Sequence, residues 1–498
     1  MAAVNKKLWE EDVEYGGIRV ADDDPKKPLL QQQQKPVVVN VSDRVPDEVD
    51  ETNGSTGMVL FSTFIAVCGS FEFGSCVGYS APTQSAIIED LKLSLAEYSM
   101  FGSILTIGAM IGAISSGQIA DFIGRKGAMR MSAIFCITGW LAVYCSRGYL
   151  LLDTGRILTG YGIGVFSFVV PVYIAEIAPK NLRGEFFFIW QLMIVTGASL
   201  AFLMGTVVTW RTLALTGLIP CIVLLLGLCF IPESPRWLAK FGQEEEFRSS
   251  LQVLRGRYTD VSSEAAQIQV YVASLQILPK AALTDLIDSK YIRFIVIGVG
   301  LMVFQQFGGI NGVGFYASET YASAGLASGK TGIILIACVQ VPITVLGALL
   351  MDRSGRRPLI MISSSGTSVG CFLTGSAFFL KAHGMFLNSV PFLAAAGILI
   401  YIAAFSIGMG AVPWLIMSEI FPINIKGVAG SLVVLVNWAG AWAVSYTFNF
   451  LMAWSPSATF AMYSGFSMMT ILFVVKLVPE TKGKTLEEIQ ACINSGKH

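Results

Sequence analysis

One apolar segment of the chain contains the run Gln305-Gln306-Phe307-Gly308-Gly309-Ile310-Asn311. The segment covers residues 291–317 and is long enough to cross a lipid bilayer. Either the polar groups surround the helix, or the glycines let it unwind. An unwound backbone at membrane depth is tolerated only against protein or a water-filled cavity. Because carboxamides donate and accept hydrogen bonds without carrying charge, the run predicts a site for an uncharged, hydroxyl-rich ligand. The alternative is that these side chains only join helices.

The composition is that of a polytopic membrane protein. Of the 498 residues, 54% are hydrophobic and 14% are charged, whereas soluble domains carry about 25% charged residues. The net charge of zero does not indicate binding to nucleic acid. Two histidines and nine scattered cysteines without a CxxC pair argue against a zinc site. No nucleophile and base are spaced for catalysis, so we do not expect an enzyme. We also expect no bound cofactor or metal.

Apolar spans recur along the chain in two sets of six, separated by a polar stretch with helical patterns over 244–254 and 263–277. The pattern predicts an all-α membrane protein of about twelve transmembrane helices in two six-helix bundles. The expected domains are a disordered tail (1–57), a first bundle (58–231), a helical linker (232–290), a second bundle (291–478) and a C-terminal tail (479–498).

Basic residues predict the orientation of the spans. Most of the 34 Lys and Arg lie in the two tails, in the linker and in the connections after even-numbered spans. Because positive residues concentrate on the cytosolic side of a membrane, we expect both tails and the linker to be cytosolic.

Three motifs occur in the same order in both halves. Asp121-Phe-Ile-Gly-Arg-Lys follows span two, and Asp352-Arg-Ser-Gly-Arg-Arg follows span eight. The pattern E-x-x-P-x-x-x-[RK]-G begins at Glu176 and again at Glu419, and Pro-Glu-Ser and Pro-Glu-Thr end the sixth and twelfth spans. The repeats indicate duplication of a six-span unit, which is the pattern of major facilitator transporters.

The acids and bases of these motifs are interpreted as a cytosolic gate that breaks when this face opens. Positive-inside topology alone explains the basic residues but not the matched acids. The predicted gate residues are Asp121, Arg125, Glu176, Arg183, Asp352, Arg356, Glu419 and Lys426.

Two charged residues are expected inside the first bundle, Glu72 in span one and Arg156 near the outer start of span four. Intramembrane charges are costly and are usually paired or functional. The two can form a static ion pair, or Glu72 can carry a proton. In span ten, two glycines and Pro413 predict a kink or break, and the adjacent Trp414 can stack on a sugar ring or pack in the core.

With these motifs, the region from about residue 58 to 485 resembles the sugar porter family of the major facilitator superfamily. The segments Gln305-Gln306-x-x-Gly309-x-Asn311, Pro232-Glu233-Ser234-Pro235-Arg236 and Pro479-Glu480-Thr481 carry the resemblance. The run Pro413-Trp414-Leu415-Ile416-Met417-Ser418-Glu419 resembles plant early-responsive-to-dehydration-like monosaccharide transporters.

The resemblance implies a central sugar site between two rocking bundles. By motif position it implies six sugar ligands: Gln191, Gln305, Gln306, Asn311, Gln340 and Trp414. Proton symporters of this family carry an aspartate where this chain has Cys76, and a thiol is a poor substitute for a carboxylate in proton transfer near neutral pH. This departure disfavours the usual route of proton coupling, and Glu72 keeps a different route open.

We therefore expect a monomeric carrier of monosaccharides, such as the hexoses glucose or fructose, that works by facilitated diffusion. Proton-coupled export of hexose from the vacuole is the alternative, and a sugar sensor without net transport is a third hypothesis. The subgroup often resides in the vacuolar membrane, with the plasma membrane as the alternative. Leu29-Leu30 in the N-terminal tail resembles a sorting signal for such a membrane.

Overall fold

The structure, a computed structural model, describes residues 57–179, 183–277, 291–326, 328–422 and 425–484, together with positions 286, 288, 488, 489 and 493. Side chains are further left undescribed at 183–187, 274–277 and 352. The predicted sorting pair Leu29-Leu30 lies outside the described residues. Within the described ranges, every regular element is helical.

The first half of the chain forms seven helices, several of which join into longer spans. They are α1 (Gly57–Gly78), α2 (Ser80–Leu91), α3 (Leu95–Cys145), α4 (Tyr149–Ile177), α5 (Arg183–Val207), α6 (Trp210–Thr216) and α7 (Leu218–Gly227). Helix α1 packs on α5, and α3 packs on α4. Three short helices follow in the polar stretch: α8 (Pro235–Lys240), α9 (Glu244–Arg255) and α10 (Ser262–Ile277). They confirm the helical patterns predicted there.

The second half repeats this arrangement with more interrupted spans. Its helices are α11 (Ile292–Phe307), α12 (Ile310–Phe315), α13 (Ala317–Ala324), α14 (Gly329–Ser354), α15 (Arg356–Ala382), α16 (Val390–Ala404), a π-helix (Phe405–Met409), α17 (Val412–Ile420), α18 (Lys426–Trp454) and α19 (Pro456–Leu477). Helix α15 packs on α16 and α19, and α11 packs on α18.

Ten helical segments of the described chain are long and apolar enough to cross a membrane. One of them, Leu95–Cys145, contains two predicted spans that meet at Gly124, where the backbone leaves the helical conformation. Helix α15 is long enough but is not among the ten, and it contains the polar run Ser363-Ser364-Ser365. With both included, the predicted fold of twelve transmembrane helices is confirmed.

The glycine of each D-x-x-G-R-[RK] motif forms the turn between two long helices. Gly124 has φ 80° and Gly355 has φ 87°, a region that side chains other than glycine rarely adopt. A Cβ at Gly124 would also lie 2.6 Å from a carboxylate oxygen of Glu233, and one at Gly355 would lie 2.8 Å from Glu480. Both the backbone angle and the close approach therefore require glycine. We call the end of the bundle that carries these two turns the motif end.

The glutamates of Pro-Glu-Ser and Pro-Glu-Thr hold these turns by accepting backbone hydrogen bonds. Glu233 accepts from the N–H groups of Arg125 (3.1 Å) and Lys126 (3.1 Å). Glu480 accepts from Arg356 (3.0 Å) and Arg357 (3.0 Å) in the same way. Each glutamate therefore caps the helix that follows the turn, where the partial positive charge of a helix N-terminus favours an anion. The third repeated motif has a structural purpose in both halves.

The two capping glutamates differ in their electrostatics. Burial raises the pKa of Glu233, and its backbone hydrogen bonds only partly oppose that rise. At Glu480, burial also acts to raise the pKa, but four backbone N–H groups outweigh it and the pKa lies below its usual value. The carboxylate of Glu480 in the second-half turn therefore favours the ionised form more strongly than that of Glu233 in the first-half turn.

Spans two and four approach each other through matched glycines. Gly108 and Gly112 face Gly160 and Gly164, and a Cβ at any of the four would overlap a backbone carbonyl oxygen of the other helix. Small residues at a spacing of four let membrane helices pack backbone to backbone. These contacts hold α3 and α4 together along their length.

We predict that Gly164→Ala destabilises the protein, because the added methyl group must push α4 away from the carbonyl oxygen of Ala109. The expected cost is about 1–3 kcal/mol, as for other overpacked cores. The thermal unfolding of the purified protein in detergent measures it. Gly465→Ala is the matched control, since a Cβ at Gly465 meets no atom within 4 Å. Equal unfolding midpoints for both variants would contradict the packing argument.

Candidate functional site

The run Gln305–Asn311 breaks a transmembrane span, which is the second of the two alternatives that its sequence left open. Helix α11 ends at Phe307 and α12 begins at Ile310, with Gly309 at φ 95° between them. At this break the Nδ2 of Asn311 donates to Oε1 of Gln306 (2.5 Å), and the Nε2 of Gln306 donates to Oδ1 of Asn437 in α18 (2.6 Å). Three carboxamides thus form one hydrogen-bonded chain across spans seven and eleven.

Gln305 connects the same break to span ten. Its Nε2 donates to the carbonyl oxygens of Met409 (2.5 Å) and Gly410 (3.3 Å). These residues lie where the π-helix ends, so the predicted irregularity of span ten is confirmed. Both Gln305 and Gln306 are buried. In this structure they position the broken helices, and they do not line the nearby cavity.

A cavity of about 180 Å³ lies between the two halves. Three of the six predicted ligands line it: Gln191 from α5, Asn311 from α12 and Gln340 from α14. The hydroxyl-bearing residues Thr344 and Ser406 also line it, and the remaining lining residues are apolar or glycine. None of the residues that line it is charged. Such a surface can hold a neutral molecule with several hydroxyl groups, because carboxamides match hydroxyls as donors and acceptors.

Gln340 also bridges the halves. Its Nε2 donates to Oγ of Ser199 in α5 (2.5 Å) and to the carbonyl oxygen of Val195 (3.4 Å). It therefore links span eight to span five at the wall of the cavity. Gln340 therefore borders the cavity and contacts the first half at the same time.

Other cross-half contacts lie toward the end opposite the motif end. Nδ2 of Asn449 in α18 donates to Oγ of Ser99 near the start of α3 (3.0 Å). The rings of Tyr98 and Tyr316 meet edge to face with their centroids 6.2 Å apart. Lys330 at the start of α14 donates to the carbonyl oxygen of Thr206 (3.0 Å). These contacts join the halves at the opposite end.

Trp414 does not line the cavity. It is partly buried and packs against a hydrophobic cluster of the second half. Of the two interpretations of Trp414, stacking on a sugar or packing in the core, its position in this structure fits packing in the core. Thr344, Ser406 and Asn437 were not predicted as site residues, although the residues before Pro413 and the pair Asn437-Trp438 were recognisable in the sequence.

The predicted direct pair of Glu72 and Arg156 is not formed. Both are fully buried, but Glu72 accepts hydrogen bonds from Nε1 of Trp140 (2.5 Å) and from the thiol of Cys76 (3.2 Å). Arg156 instead donates to the carbonyl oxygen of Cys76 (3.0 Å) and to the hydroxyl of Ser80. Neither belongs to an ion pair among the described side chains. The direct ion pair was one of two alternatives for these residues, and the other, a proton role for Glu72, stays a prediction.

The acids and bases of the motif end pair within each half. Arg125 binds Glu176 through two parallel hydrogen bonds of 2.8 Å and also lies 3.2 Å from Asp121. Arg356 lies 3.1 Å from Glu419. Bidentate guanidinium–carboxylate pairs combine energy with fixed geometry. The expected pairing of these arginines with Glu176 and Glu419 is therefore present, and it ties the turn after one span to the end of another.

Lys426, among the other predicted gate residues, makes a different contact. Lys426 donates to the carbonyl oxygen of Ser418 (2.8 Å). The side chains of Arg183 and Asp352 lie outside the described residues. Asp121 additionally binds Lys240 of α8 (2.8 Å), which attaches the linker to the first-half turn.

Comparisons with known proteins agree with this architecture. A family model described as "Sugar (and other) transporter" matches residues 59–492. "Sugar transporter ERD6-like 16" of Arabidopsis thaliana is 67% identical over 482 residues, which cover 97% of this chain and 98% of that relative. "Sugar transporter ERD6-like 7" from the same plant is 58% identical over 437 residues, covering 88% and 94%.

Solved structures give the same result at lower identity. The xylose transporter XylE from E. coli, in a partially occluded inward open conformation, superposes with a TM-score of 0.72 at 28% identity. That match covers 86% of this chain and 100% of the other. The proton:xylose symporter XylE bound to 6-bromo-6-deoxy-D-glucose superposes with a TM-score of 0.70 at 28% identity, covering 87% and 98%. Together with the paired motifs and the neutral cavity, these matches establish that the chain belongs to the sugar transporter family of the major facilitator fold and is a transporter rather than an enzyme.

Proposed function

We propose that this sugar transporter carries hexoses such as glucose or fructose by facilitated diffusion. The observation that carries the proposal is the cavity between the halves, whose polar lining consists of carboxamides and hydroxyls without any charged group. Gln191, Asn311 and Gln340 are proposed to bind the sugar directly. Gln305 and Gln306 are proposed to hold the broken helices in place around it, and Trp414 to contact the sugar only when span ten moves.

Alternating access requires that contacts between the halves change sides. The described hydrogen bonds between the halves lie at the cavity or toward the opposite end, while the arginine–glutamate pairs at the motif end lie within each half. We propose that these pairs keep each motif end rigid while the two halves rock against each other. The arginine–glutamate pairs then act as a gate indirectly, because they fix the surfaces of the two halves that meet when the motif end closes.

Two observations favour facilitated diffusion over proton coupling. Glu72 does not line the cavity, and by the family resemblance the neighbouring thiol of Cys76 occupies the position of the symporter aspartate. The second candidate, proton-coupled hexose transport, is favoured by the similarity to XylE, which is named a proton:xylose symporter, and by the buried carboxylate of Glu72. The sensor hypothesis has no further support from the cavity.

The cellular setting is also a proposal. We propose a monomeric carrier in the vacuolar membrane with both tails and the linker in the cytosol, with the plasma membrane as the alternative. The basic residues at the motif end support this orientation. We retain 58–231 and 291–478 as the proposed bounds of the two bundles.

We predict that Gln340→Ala and Asn311→Ala each weaken hexose binding about 2- to 10-fold, because each removes hydrogen bonds worth about 0.5–1.5 kcal/mol. Competition of unlabelled hexose for radiolabelled hexose uptake into proteoliposomes measures the apparent affinity. Ser199→Ala is the control, since it removes the cross-half partner of Gln340 while leaving the cavity lining unchanged. If Ser199→Ala reproduces the loss seen in Gln340→Ala, or if both cavity variants bind normally, the assignment of these ligands is wrong.

We also predict that hexose entry into proteoliposomes ends at equal concentrations inside and outside, with or without a pH gradient. Facilitated diffusion supplies no energy for accumulation. Accumulation that depends on the gradient, and that disappears in Glu72→Gln, would replace this proposal with proton coupling. Binding of hexose without any flux would leave only the sensor hypothesis.

A further inference from the structure

A cluster of metal-binding side chains lies inside the first bundle, away from the sugar cavity. Glu72 of α1, Cys136 of α3 and Cys221 of α7 are all buried, and one potential ligand atom from each lies within 4.8 Å of the other two. The thiol of Cys76 lies 3.2 Å from Oε1 of Glu72, so a fourth donor lies beside these three. None of the four residues lines the cavity between the halves. The proposed facilitated diffusion uses none of them.

The carboxylate of Glu72 is incompletely satisfied in this cluster. Its Oε1 accepts from Trp140 and Cys76, whereas its Oε2 is buried without a hydrogen-bond partner among the described residues. A buried acceptor without a partner is costly, and the cost is larger when the group is charged. The residue is 0% exposed, so water at the protein surface does not compensate for it. This oxygen is available to a ligand that the neighbouring thiols can also bind, such as a metal ion.

The donor set selects the kind of ion. Zn²⁺ binds thiolate sulfur and carboxylate oxygen in tetrahedral sites, at about 2.3 Å and 2.0–2.2 Å respectively. Cu⁺ prefers sulfur donors without carboxylate, and Mg²⁺ and Ca²⁺ prefer oxygen alone. Two sulfurs on one tetrahedral zinc are about 3.8 Å apart, so the observed spacing closes onto Zn²⁺ with side-chain movements of about 1 Å. The mixed set of one carboxylate and two or three thiols is therefore a zinc set.

The charges also balance. Zn²⁺ replaces the thiol protons of Cys136 and Cys221, which leave to solvent, and it binds the carboxylate of Glu72. The resulting centre carries one negative charge, and the buried guanidinium of Arg156 lies on the other side of the same turn of α1, bound to the carbonyl oxygen of Cys76. The sum over the centre and Arg156 is zero, so the ion adds no net charge to the bundle.

We propose, contrary to the expectation from the sequence, that Glu72, Cys136 and Cys221 form a structural Zn²⁺ site that joins spans one, three and six of the first bundle, with the neutral thiol of Cys76 beside it. The site would link three helices that already meet through apolar contacts and through hydrogen bonds such as that from Trp140 to Glu72. It does not depend on which sugar the protein carries. It also occupies the one carboxylate that proton coupling would need, in agreement with facilitated diffusion.

The test uses full-length protein purified in detergent, in a background where Cys145, Cys229, Cys338 and Cys492 are alanine. The protein is stripped with a chelator, exposed to Zn²⁺ and passed through gel filtration, and zinc per chain is measured by mass spectrometry. We expect one zinc per chain and a higher unfolding temperature with Zn²⁺. Because two thiol protons are released, the affinity should rise about 100-fold per pH unit below the pH at which the thiols ionise.

Cys136→Ser and Cys221→Ser should bind Zn²⁺ at least about 10-fold more weakly, since even changes behind the ligands cost 10- to 100-fold in other zinc sites. Cys371→Ser is the matched control, because Cys371 is equally buried but lies in the second half, and it should bind normally. Glu72→Gln, which keeps the shape of the side chain, tests the site if the serine variants do not fold. Cd²⁺ in place of Zn²⁺ should give thiolate charge-transfer absorption that Cys136→Ser and Cys221→Ser lose.

Several results would overturn the proposal. One is a wild-type protein that retains no stoichiometric zinc. Another is equal zinc binding by wild type, Cys136→Ser and Cys221→Ser, which would locate the ion elsewhere. A third is a mass two hydrogens lower without zinc, which would show that Cys136 and Cys221 form a disulfide instead.

Discussion

Both halves of this transporter depend on a glutamate carboxylate that accepts the backbone N–H groups after a positive-φ glycine. Glu233 does this at Gly124, and Glu480 does it at Gly355. The same turns carry the arginines that bind Glu176 and Glu419. Three segments that are distant in sequence are therefore fixed at one point in each half.

The second constraint is the neutrality of the cavity. In the low-dielectric interior of a membrane protein, a carboxylate in the wall would need a partner charge or a proton. The wall instead carries Gln191, Asn311 and Gln340, whereas Glu72 and Arg156 are buried and do not line it. A neutral, hydroxyl-bearing substrate can therefore exchange its hydrogen bonds with water for equivalent bonds to the protein. The cross-half hydrogen bonds of Gln340 to Ser199 and Val195 also lie at this wall.

Local patterns in the sequence predicted much of this fold. Hydropathy and the three repeated motifs predicted the two sets of six spans, and glycine and proline predicted the breaks at Gly309 and before Pro413. Three of the six ligands inferred by resemblance line one cavity. Gln305 and Gln306 do not line it, because whether a carboxamide faces a cavity or another helix depends on the rotation of broken helices that the sequence does not encode locally.

Other features depend on contacts between distant segments and could not be read from spacing alone. The role of Glu233 and Glu480 follows from where spans six and twelve end in space. The glycines at positions 108, 112, 160 and 164 have a recognisable spacing of four, but only the structure shows that the two pairs face each other. Glu72 and Arg156 both lie within apolar spans, which allowed an ion pair as one alternative, but their hydrogen bonds run to different partners.

We propose that each half moves as a rigid unit fixed by its glutamate-capped turn. Spin-label distances in proteoliposomes, with and without hexose, test it most directly at exposed positions: Phe122 with Leu349 across the motif end, Leu150 with Phe392 across the opposite end, and Phe122 with Phe230 within the first half. The account predicts that hexose shortens the first distance, lengthens the second and leaves the third unchanged. A changed Phe122–Phe230 distance with a constant Phe122–Leu349 distance would contradict it.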